Sequence, residues 1–170
     1  PGYGKVLSAD QITALVDLIY TPLKAVPIWG MTEISASHVE HVAMSDLPSK
    51  PQWDADPMNI FTVVETGDHH VTILDGDKFE PLARFATRFA VHGGAKYSPA
   101  GRFMYLASRD GWISKYDLYS LRVVSEIRAG INTRNVAVSS DGKYLMVGNT
   151  LPHPLVALSA ETMKPIKVIA

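Results

Sequence analysis

The sequence predicts an all-β fold, part of a β-propeller, because turn motifs recur along it at a fixed spacing. Three of them lie 42 residues apart, at Leu74-Asp75-Gly76, Tyr116-Asp117-Leu118 and Leu158-Ser159-Ala160. Each is followed by an apolar stretch, and a second pair of turns, at residues 98–102 and 140–143, keeps nearly the same spacing. Repeats of about 40–45 residues built from short strands and tight turns are typical of propeller blades.

The number of repeats indicates that the propeller is incomplete in this chain. Its 170 residues supply about two and a half blades, whereas natural propellers have about four to eight. An unclosed ring would leave a sheet edge open to pairing and aggregation. The chain also begins at Pro1 instead of a methionine. We therefore expect a piece of a longer protein.

The first segment, residues 1–22, predicts a helix. Ser8 and Gln11 have the spacing of a capping box, in which each side chain bonds the backbone N–H of the other residue. Thr21-Pro22 ends the helix after Tyr20, since the residue before a proline avoids the helical region. The apolar residues of the helix share one stripe, at Ile12, Leu15, Val16 and Ile19. Residues 23–57, which are rich in proline, predict a linker with a short strand within 38–43.

Residues 58–170 are predicted to hold the first blades of the propeller. The expected strands are 59–65, 70–75 and 79–85 in the first blade, 89–97, 102–108, 112–118 and 122–128 in the second, and 134–138, 143–148, 155–158 and 165–169 in the third. Turn residues such as Asp110-Gly111 and Asp141-Gly142 separate them. Both faces of the strand near Met104 are largely apolar, as expected of a blade that packs between two neighbours.

Composition excludes several classes of function. The 16 basic residues balance 17 acidic ones, so no basic surface for nucleic acid or an anionic membrane is expected. No apolar run approaches the ~18–20 residues of a spanning helix, and no signal peptide is visible. The chain has no cysteine, which rules out disulfides, thiolate metal sites and covalent haem attachment within this stretch.

Loops from different blades are expected to meet at one mouth. The loops that enter the inner strands of a propeller, and those that join the second strand to the third, open on the same face. By that rule the candidates are Arg88, His92, Lys96, Asn132 and Arg134, together with Thr66, Asp68, His69, Arg109, Asn149 and His153. Gly93 and Gly94 remove side-chain bulk beside His92.

These residue types suit a planar metal macrocycle with carboxylate side chains. The His92 imidazole can ligate iron from one side, and Arg109 and Arg134 can pair bidentately with carboxylates. Each also has a structural interpretation: His92 as a hydrogen-bonded loop residue, and Arg109 as half of a turn ion pair with Asp110. The three tryptophans are predicted to be packing anchors: Trp29, Trp53 and Trp112.

Several motifs carry a family resemblance. They are Arg88-Phe89-Ala90-Val91-His92-Gly93-Gly94, Ser98-Pro99-Ala100-Gly101-Arg102, Ser108-Arg109-Asp110-Gly111-Trp112 and the stretch 129–135. They resemble the haem d1 propeller family, which includes cytochrome cd1 nitrite reductase and proteins that finish haem d1 biosynthesis. The resemblance implies an eight-bladed parent in which His92 is the proximal axial ligand of the haem d1 iron. It also implies that Arg109 and Arg134 face the haem carboxylates, and the loop rule adds Gly93, Lys96, Asn132 and Asn149 as cofactor-binding residues.

The N-terminal part separates the members of this family. Residues 1–22 resemble the last helix of a c-type cytochrome domain, and residues 23–31 resemble the linker that follows it in the two-haem members. The nitrite reductases usually carry an arginine at the position of Ala95 and another near Thr66, and Gly93-Gly94 also departs from their pattern. The resemblance is therefore strongest to the two-haem maturation branch.

That branch implies an oxidoreductase for the last step of haem d1 biosynthesis. It would oxidise a propionate of dihydro-haem d1 to an acrylate and pass the electrons to a c-type haem, whose attachment site is absent here. The alternatives are a cytochrome cd1 nitrite reductase and a non-enzymatic haem d1 carrier. We expect the catalytic base in later blades, the fragment alone to be inactive and the location to be periplasmic. The expected partners are haem d1 or its precursor, other maturation proteins and the nitrite reductase, with no nucleic acid and no membrane span.

Overall fold

The computed structural model describes residues 2–22, 25, 27–91, 93–152 and 155–169. Within these ranges the α-helices are α1 (Ala9–Tyr20) and α2 (Met31–Ala36). The strands are, in chain order, β1 (Val39–Glu40), β2 (Ile60–Glu65), β3 (His70–Asp75), β4 (Glu80–Ala86), β5 (Lys96–Tyr97), β6 (Phe103–Ala107), β7 (Trp112–Asp117), β8 (Arg122–Arg128), β9 (Asn132–Val138), β10 (Tyr144–Leu151), β11 (Leu155–Ser159) and β12 (Pro165–Ile169).

The strands form three antiparallel sheets that follow one another along the chain. The first sheet has the order β2-β3-β4, and the third has the order β12-β11-β10-β9. The second sheet has the order β1-β8-β7-β6-β5, so β1 from the predicted linker joins its outer edge. Successive up-and-down sheets of this kind are propeller blades. The predicted all-β propeller class is confirmed.

The 42-residue repeat is a repeat of turn geometry. At the ends of β3, β7 and β11, a side-chain oxygen accepts a hydrogen bond from the backbone N–H three residues later. These bonds run from Lys78 to Asp75 (3.1 Å), from Ser120 to Asp117 (3.0 Å) and from Thr162 to Ser159 (3.2 Å). The next residue has a left-handed backbone in all three turns: Phe79 (φ 58°), Leu121 (φ 54°) and Met163 (φ 60°).

The second sheet is buried on both faces, as its sequence predicts. Alternate residues of β6 point in opposite directions. Met104 belongs to a buried cluster with Val71 of the first sheet. Its neighbour Tyr105 belongs to another with Leu145 of the third sheet. Apolar cores therefore join all three sheets.

The segment between α1 and β2 is more structured than the predicted linker. Ile34 of α2 has no exposed surface and belongs to the core shared by the second and third sheets. The indole Nε1 of Trp29 donates to the Arg128 carbonyl oxygen at 3.0 Å, and Trp53 donates to the Leu118 carbonyl at 2.6 Å. Both tryptophans are packing anchors, as predicted, and the short strand expected within 38–43 is β1.

Helix α1 has the predicted capping box and ends at Tyr20, but none of its residues is buried. Among the described residues, no helix has the length and apolar character that a membrane-spanning segment requires.

The strand predicted over residues 89–97 is wrong for most of its length. Only Lys96 and Tyr97 pair with β6, apart from an isolated bridge between Val91 and Ser108. Ala90 has φ 44°, which breaks the extended conformation.

Candidate functional site

Loops from all three sheets are joined by hydrogen bonds into one continuous path. We call these loops the rim: residues 66–69, 87–91, 93–94, 108–111 and 129–135. The Thr66 hydroxyl donates to the Val91 carbonyl oxygen at 3.2 Å. The Arg109 N–H donates to the Ala90 carbonyl at 3.2 Å, and the Thr133 N–H donates to the Arg109 carbonyl at 3.3 Å. The rim thus brings together loop ends that are more than 60 residues apart in the chain.

The predicted iron ligand, His92, lies outside the described residues, and so does His153. The flanking residues Val91 and Gly93 both belong to the rim. The assignment of His92 therefore stays a prediction. Within the described ranges, no group of three or more His, Cys, Asp and Glu side chains is placed to hold a metal ion.

The two arginines predicted to meet carboxylates are exposed on the rim. Neither Arg109 nor Arg134 makes a side-chain ion pair with a carboxylate in the described part of the chain. The turn ion pair with Asp110 is not formed; Asp110 Oδ1 accepts a hydrogen bond from the Ser108 hydroxyl at 2.6 Å. Both guanidinium groups are thus available to bind an anionic ligand.

The two glycines leave open surface beside these cations. Gly93 has φ 88°, which favours glycine, and a Cβ atom on Gly94 would meet no other atom within 4 Å. The Lys96 ammonium donates to the Gly94 carbonyl at 3.1 Å and so fixes the course of this loop. A rim that carries both open backbone and unpaired guanidinium groups fits a flat ligand that carries carboxylates.

The two asparagines occupy different positions. Asn132 is exposed at the start of β9, where its Oδ1 accepts from the Thr150 hydroxyl at 2.7 Å. Asn149 is only 8% exposed. Its Oδ1 accepts from the Thr133 hydroxyl, and its Nδ2 donates to the Ala129 carbonyl at 3.1 Å. In this geometry Asn149 supports the rim loop from within.

Arg88, a candidate for the mouth, is instead paired with a carboxylate of the protein itself. Its Nε and Nη2 bond the two carboxylate oxygens of Glu126 at 3.1 and 2.7 Å. Its guanidinium also stacks on the Trp112 ring, 4.0 Å from the centroid. Trp112 is therefore a packing residue, as predicted.

Glu126 is a buried carboxylate that the sequence analysis missed. Burial alone would raise its pKa, but hydrogen bonds from Arg88, Ser114 and His41 outweigh burial and hold the pKa of Glu126 below its ordinary value. Ser114 and Glu126 are directly paired across β7 and β8. A correct prediction of the strand register would have placed Ser114 opposite Glu126. It would not have shown that Arg88 lies beside them.

The two positions that depart from the nitrite reductase pattern carry no charge here. Thr66 uses its hydroxyl for the bond to Val91. Ala95 packs against the apolar core between the first and second sheets.

Comparison with known proteins agrees with the fold and identifies the family. A family model described as the cytochrome D1 heme domain matches residues 55–170. The dihydro-heme d1 dehydrogenase of Pseudomonas aeruginosa is 53% identical over 99% of this chain and 34% of its own length. The nitrite reductase of Stutzerimonas stutzeri is 25% identical over 99% of this chain and 31% of its own length. The chain thus spans about a third of the length of these curated relatives.

Solved structures support the same fold. The dihydro-heme d1 dehydrogenase NirN in complex with DHE matches with a TM-score of 0.87 and 53% identity, over 99% of this chain and 36% of that one. A hydrazine synthase from Kuenenia stuttgartiensis matches with a TM-score of 0.59 at 16% identity, over 74% of this chain and 38% of that one, and so supports the fold alone.

Proposed function

The chain belongs to the cytochrome D1 heme domain family, and on that premise we propose that it is part of a dehydrogenase that completes haem d1. The observation that carries the proposal is the rim, where Arg109 and Arg134 stand exposed beside the open backbone of Gly93 and Gly94. The substrate is dihydro-haem d1, a flat macrocycle with carboxylate side chains.

The reaction removes two hydrogens from one side chain. A propionate, –CH2–CH2–COO⁻, becomes an acrylate, –CH=CH–COO⁻, with the loss of two protons and two electrons. One proton goes to a base, which we place in later blades of the intact protein, and the other is released to water. The electrons go to a c-type haem, which accepts one electron at a time, so each turnover needs two transfers.

The residues of this chain bind and orient the substrate. Arg109 and Arg134 pair with its carboxylates, and each such charge-assisted bond is worth roughly 1.5–3 kcal/mol when water is excluded. Gly93 and Gly94 let the macrocycle approach the backbone, with Lys96 and Asn132 at the edges of the same surface. We assign His92 as a ligand of the substrate iron. A bond between the two would fix the height of the macrocycle. Asn149 acts indirectly, through its hydrogen bond with Thr133.

The N-terminal part supplies the electron path in this proposal. Residues 1–22 are the end of a c-type cytochrome domain, and residues 23–57 connect it to the propeller. The exposed apolar stripe of α1, with Leu15 and Ile19 at 45% and 75% exposure, supports this assignment because it leaves a face for the rest of that domain. The partners are the proteins that deliver the precursor and the nitrite reductase that receives haem d1, in the periplasm.

The direct test is turnover by the intact protein. Under anaerobic conditions with dihydro-haem d1 and an electron acceptor, we expect a product lighter by two hydrogens per molecule, measured by mass spectrometry, and reduction of the c-type haem, measured by its absorption. Binding of haem d1 without any change of mass would favour a carrier. Sustained nitrite reduction without acrylate formation would favour the nitrite reductase alternative, which Thr66 and Ala95 argue against because they bring no cation to the rim.

A further inference from the structure

The first and second sheets use different residues at one equivalent position of the repeat. Gly111 follows β6 and has φ 99°, and His69, 42 residues earlier, follows β2 and has φ 61°. The backbone carbonyls of both accept an N–H at the matching place: from Thr87 to His69 at 2.7 Å and from Ala129 to Gly111 at 2.8 Å. The turn is the same, and only the side chain differs.

A histidine at this position carries a cost that glycine does not. A left-handed backbone is unfavourable by roughly 1–2 kcal/mol for a residue with a Cβ atom. Such strain persists where the surroundings fix it, and it is found preferentially at functional sites. The imidazole of His69 must therefore make contacts that offset the strain.

Those contacts are with the segment that leads to position 92. The Nδ1 atom of His69 accepts a hydrogen bond from the Ala90 N–H at 3.1 Å. The rings of His69 and Phe89 lie 5.1 Å apart between centroids. An Nδ1 that accepts leaves the ring proton on Nε2, so the bond requires one tautomer of the neutral imidazole.

Ala90 is itself in a left-handed conformation, with φ 44°. Its N–H is held by His69 and its carbonyl oxygen by the Arg109 N–H at 3.2 Å. Both backbone polar groups of Ala90 are thus fixed, one from the first sheet and one from the second. The direction in which the chain leaves Ala90 sets the position of Val91, whose carbonyl oxygen accepts the hydrogen bond from the Thr66 hydroxyl.

We propose that His69 is a positioning residue that fixes Ala90 and thereby holds Val91, the residue before the predicted iron ligand, at the rim. It acts through the backbone and does not itself touch the substrate. This role rests on the proposed function for its effect on the iron, whereas its effect on the segment is a property of the protein alone.

Two substitutions separate the side chain from the backbone. His69→Gly gives the first sheet the residue that the second sheet uses, so it relieves the strained backbone while it removes the acceptor. His69→Asn keeps an acceptor at the same bond distance from Cβ, because Asn Oδ1 replaces His Nδ1, and asparagine tolerates a left-handed backbone. Phe79→Gly is the matched control, since Phe79 is a left-handed residue (φ 58°) at the other end of the same sheet.

The test uses the intact protein and two measurements. Backbone amide exchange of residues 87–94, followed by mass spectrometry without ligand, should become about fivefold to tenfold faster in His69→Gly, which corresponds to the loss of one hydrogen bond. The absorption spectrum of bound haem d1 should shift in the same variant. His69→Asn should restore both, and Phe79→Gly should change neither.

Each outcome of these measurements supports or overturns the proposal. Unchanged exchange in His69→Gly overturns the proposal, and so does faster exchange with an unchanged haem d1 spectrum, since the segment would then move without affecting the iron. If the unsubstituted protein does not bind haem d1, the proposed function fails together with the link to iron, whereas the exchange result still decides whether His69 fixes the segment.

Discussion

Two groups of residues in and next to the rim differ in how completely their polar groups are used. The framework residues form side-chain hydrogen bonds with other groups of the protein; they are Arg88, Glu126 and Asn149. The open residues, Arg109 and Arg134, make no side-chain ion pair within the described ranges. Buried polar groups must be paired because an unpaired one costs about 1–3 kcal/mol. Exposed cations carry no such requirement, so Arg109 and Arg134 can remain without a protein partner.

The largest difference in stability is expected between substitutions of a tightly packed rim glycine and of an exposed one. A Cβ atom on Gly111 would lie 1.9 Å from the Gly130 carbonyl oxygen, and its backbone has φ 99°. We expect Gly111→Ala to lower the free energy of unfolding by about 4 kcal/mol or to prevent folding. Gly94→Ala is the matched control, which should stay within about 0.5 kcal/mol because its Cβ meets open space. Equal urea midpoints for the two variants of the intact protein would contradict the distinction.

The next largest effect on stability is expected from a buried lysine. Lys115 is 1% exposed and donates to the carbonyl oxygens of Ala160 and Glu161 at 2.9 and 2.8 Å. Burial lowers the pKa of Lys115 from 10.5 to about 8. Between these values the unfolded chain binds more protons, so the contribution of Lys115 to stability rises with pH, by about 2 kcal/mol from pH 8 to pH 10.

Chemical unfolding of the intact protein at several pH values measures this rise, and Lys115→Met should remove it. Above about pH 10 the trend should reverse, because burial raises the pKa of Tyr105 to about 12 and the unfolded tyrosine then loses its proton first. A pH dependence that survives in Lys115→Met would assign the rise to another group.

A smaller effect is expected at the ion pair of the framework. Glu126→Gln keeps the size of the side chain but removes the charge that Arg88 bonds. Since Arg88 is 37% exposed, solvent screens the pair and we expect a loss of about 1–2 kcal/mol in unfolding free energy. Glu80→Gln, on the exposed face of β4, is the control. In the unsubstituted protein this stabilisation should disappear as pH falls through the lowered pKa of Glu126.

The smallest effect on stability is expected for the open residues. Arg109→Gln and Arg134→Gln should leave the unfolding free energy within about 0.5 kcal/mol and weaken binding of dihydro-haem d1 by about tenfold each. Arg122→Gln, an exposed arginine of β8 outside the rim, should change neither quantity. Titration of the anaerobic protein with the substrate measures the affinities. Unchanged affinity in both rim variants would remove these arginines from the site.

The sequence predicted what depends on local pattern. The capping box of Ser8, the strands β6, β7 and β8 and the equivalent turns at Asp75 and Asp117 follow from residues within a few positions of one another. The rest depends on distant partners. Helix α2 is held by contacts such as that between Trp29 and Arg128, 99 positions apart, and no local pattern shows them.

The same limit applied to the site. The loop rule collected the rim correctly as a set of loops, but it could not distinguish Arg88, which meets Glu126, from Arg109, which does not. It also treated the approach to position 92 as a strand, because the left-handed conformation of Ala90 is imposed by His69 and Arg109 from outside the segment.

The attachment of β1 has a mechanical consequence. The segment that precedes the first sheet in the chain is fastened to the second sheet, through β8, and to the core beneath the third, through Ile34. A force on the N-terminal helix is therefore transmitted to the outer edge of the second sheet and not to β2.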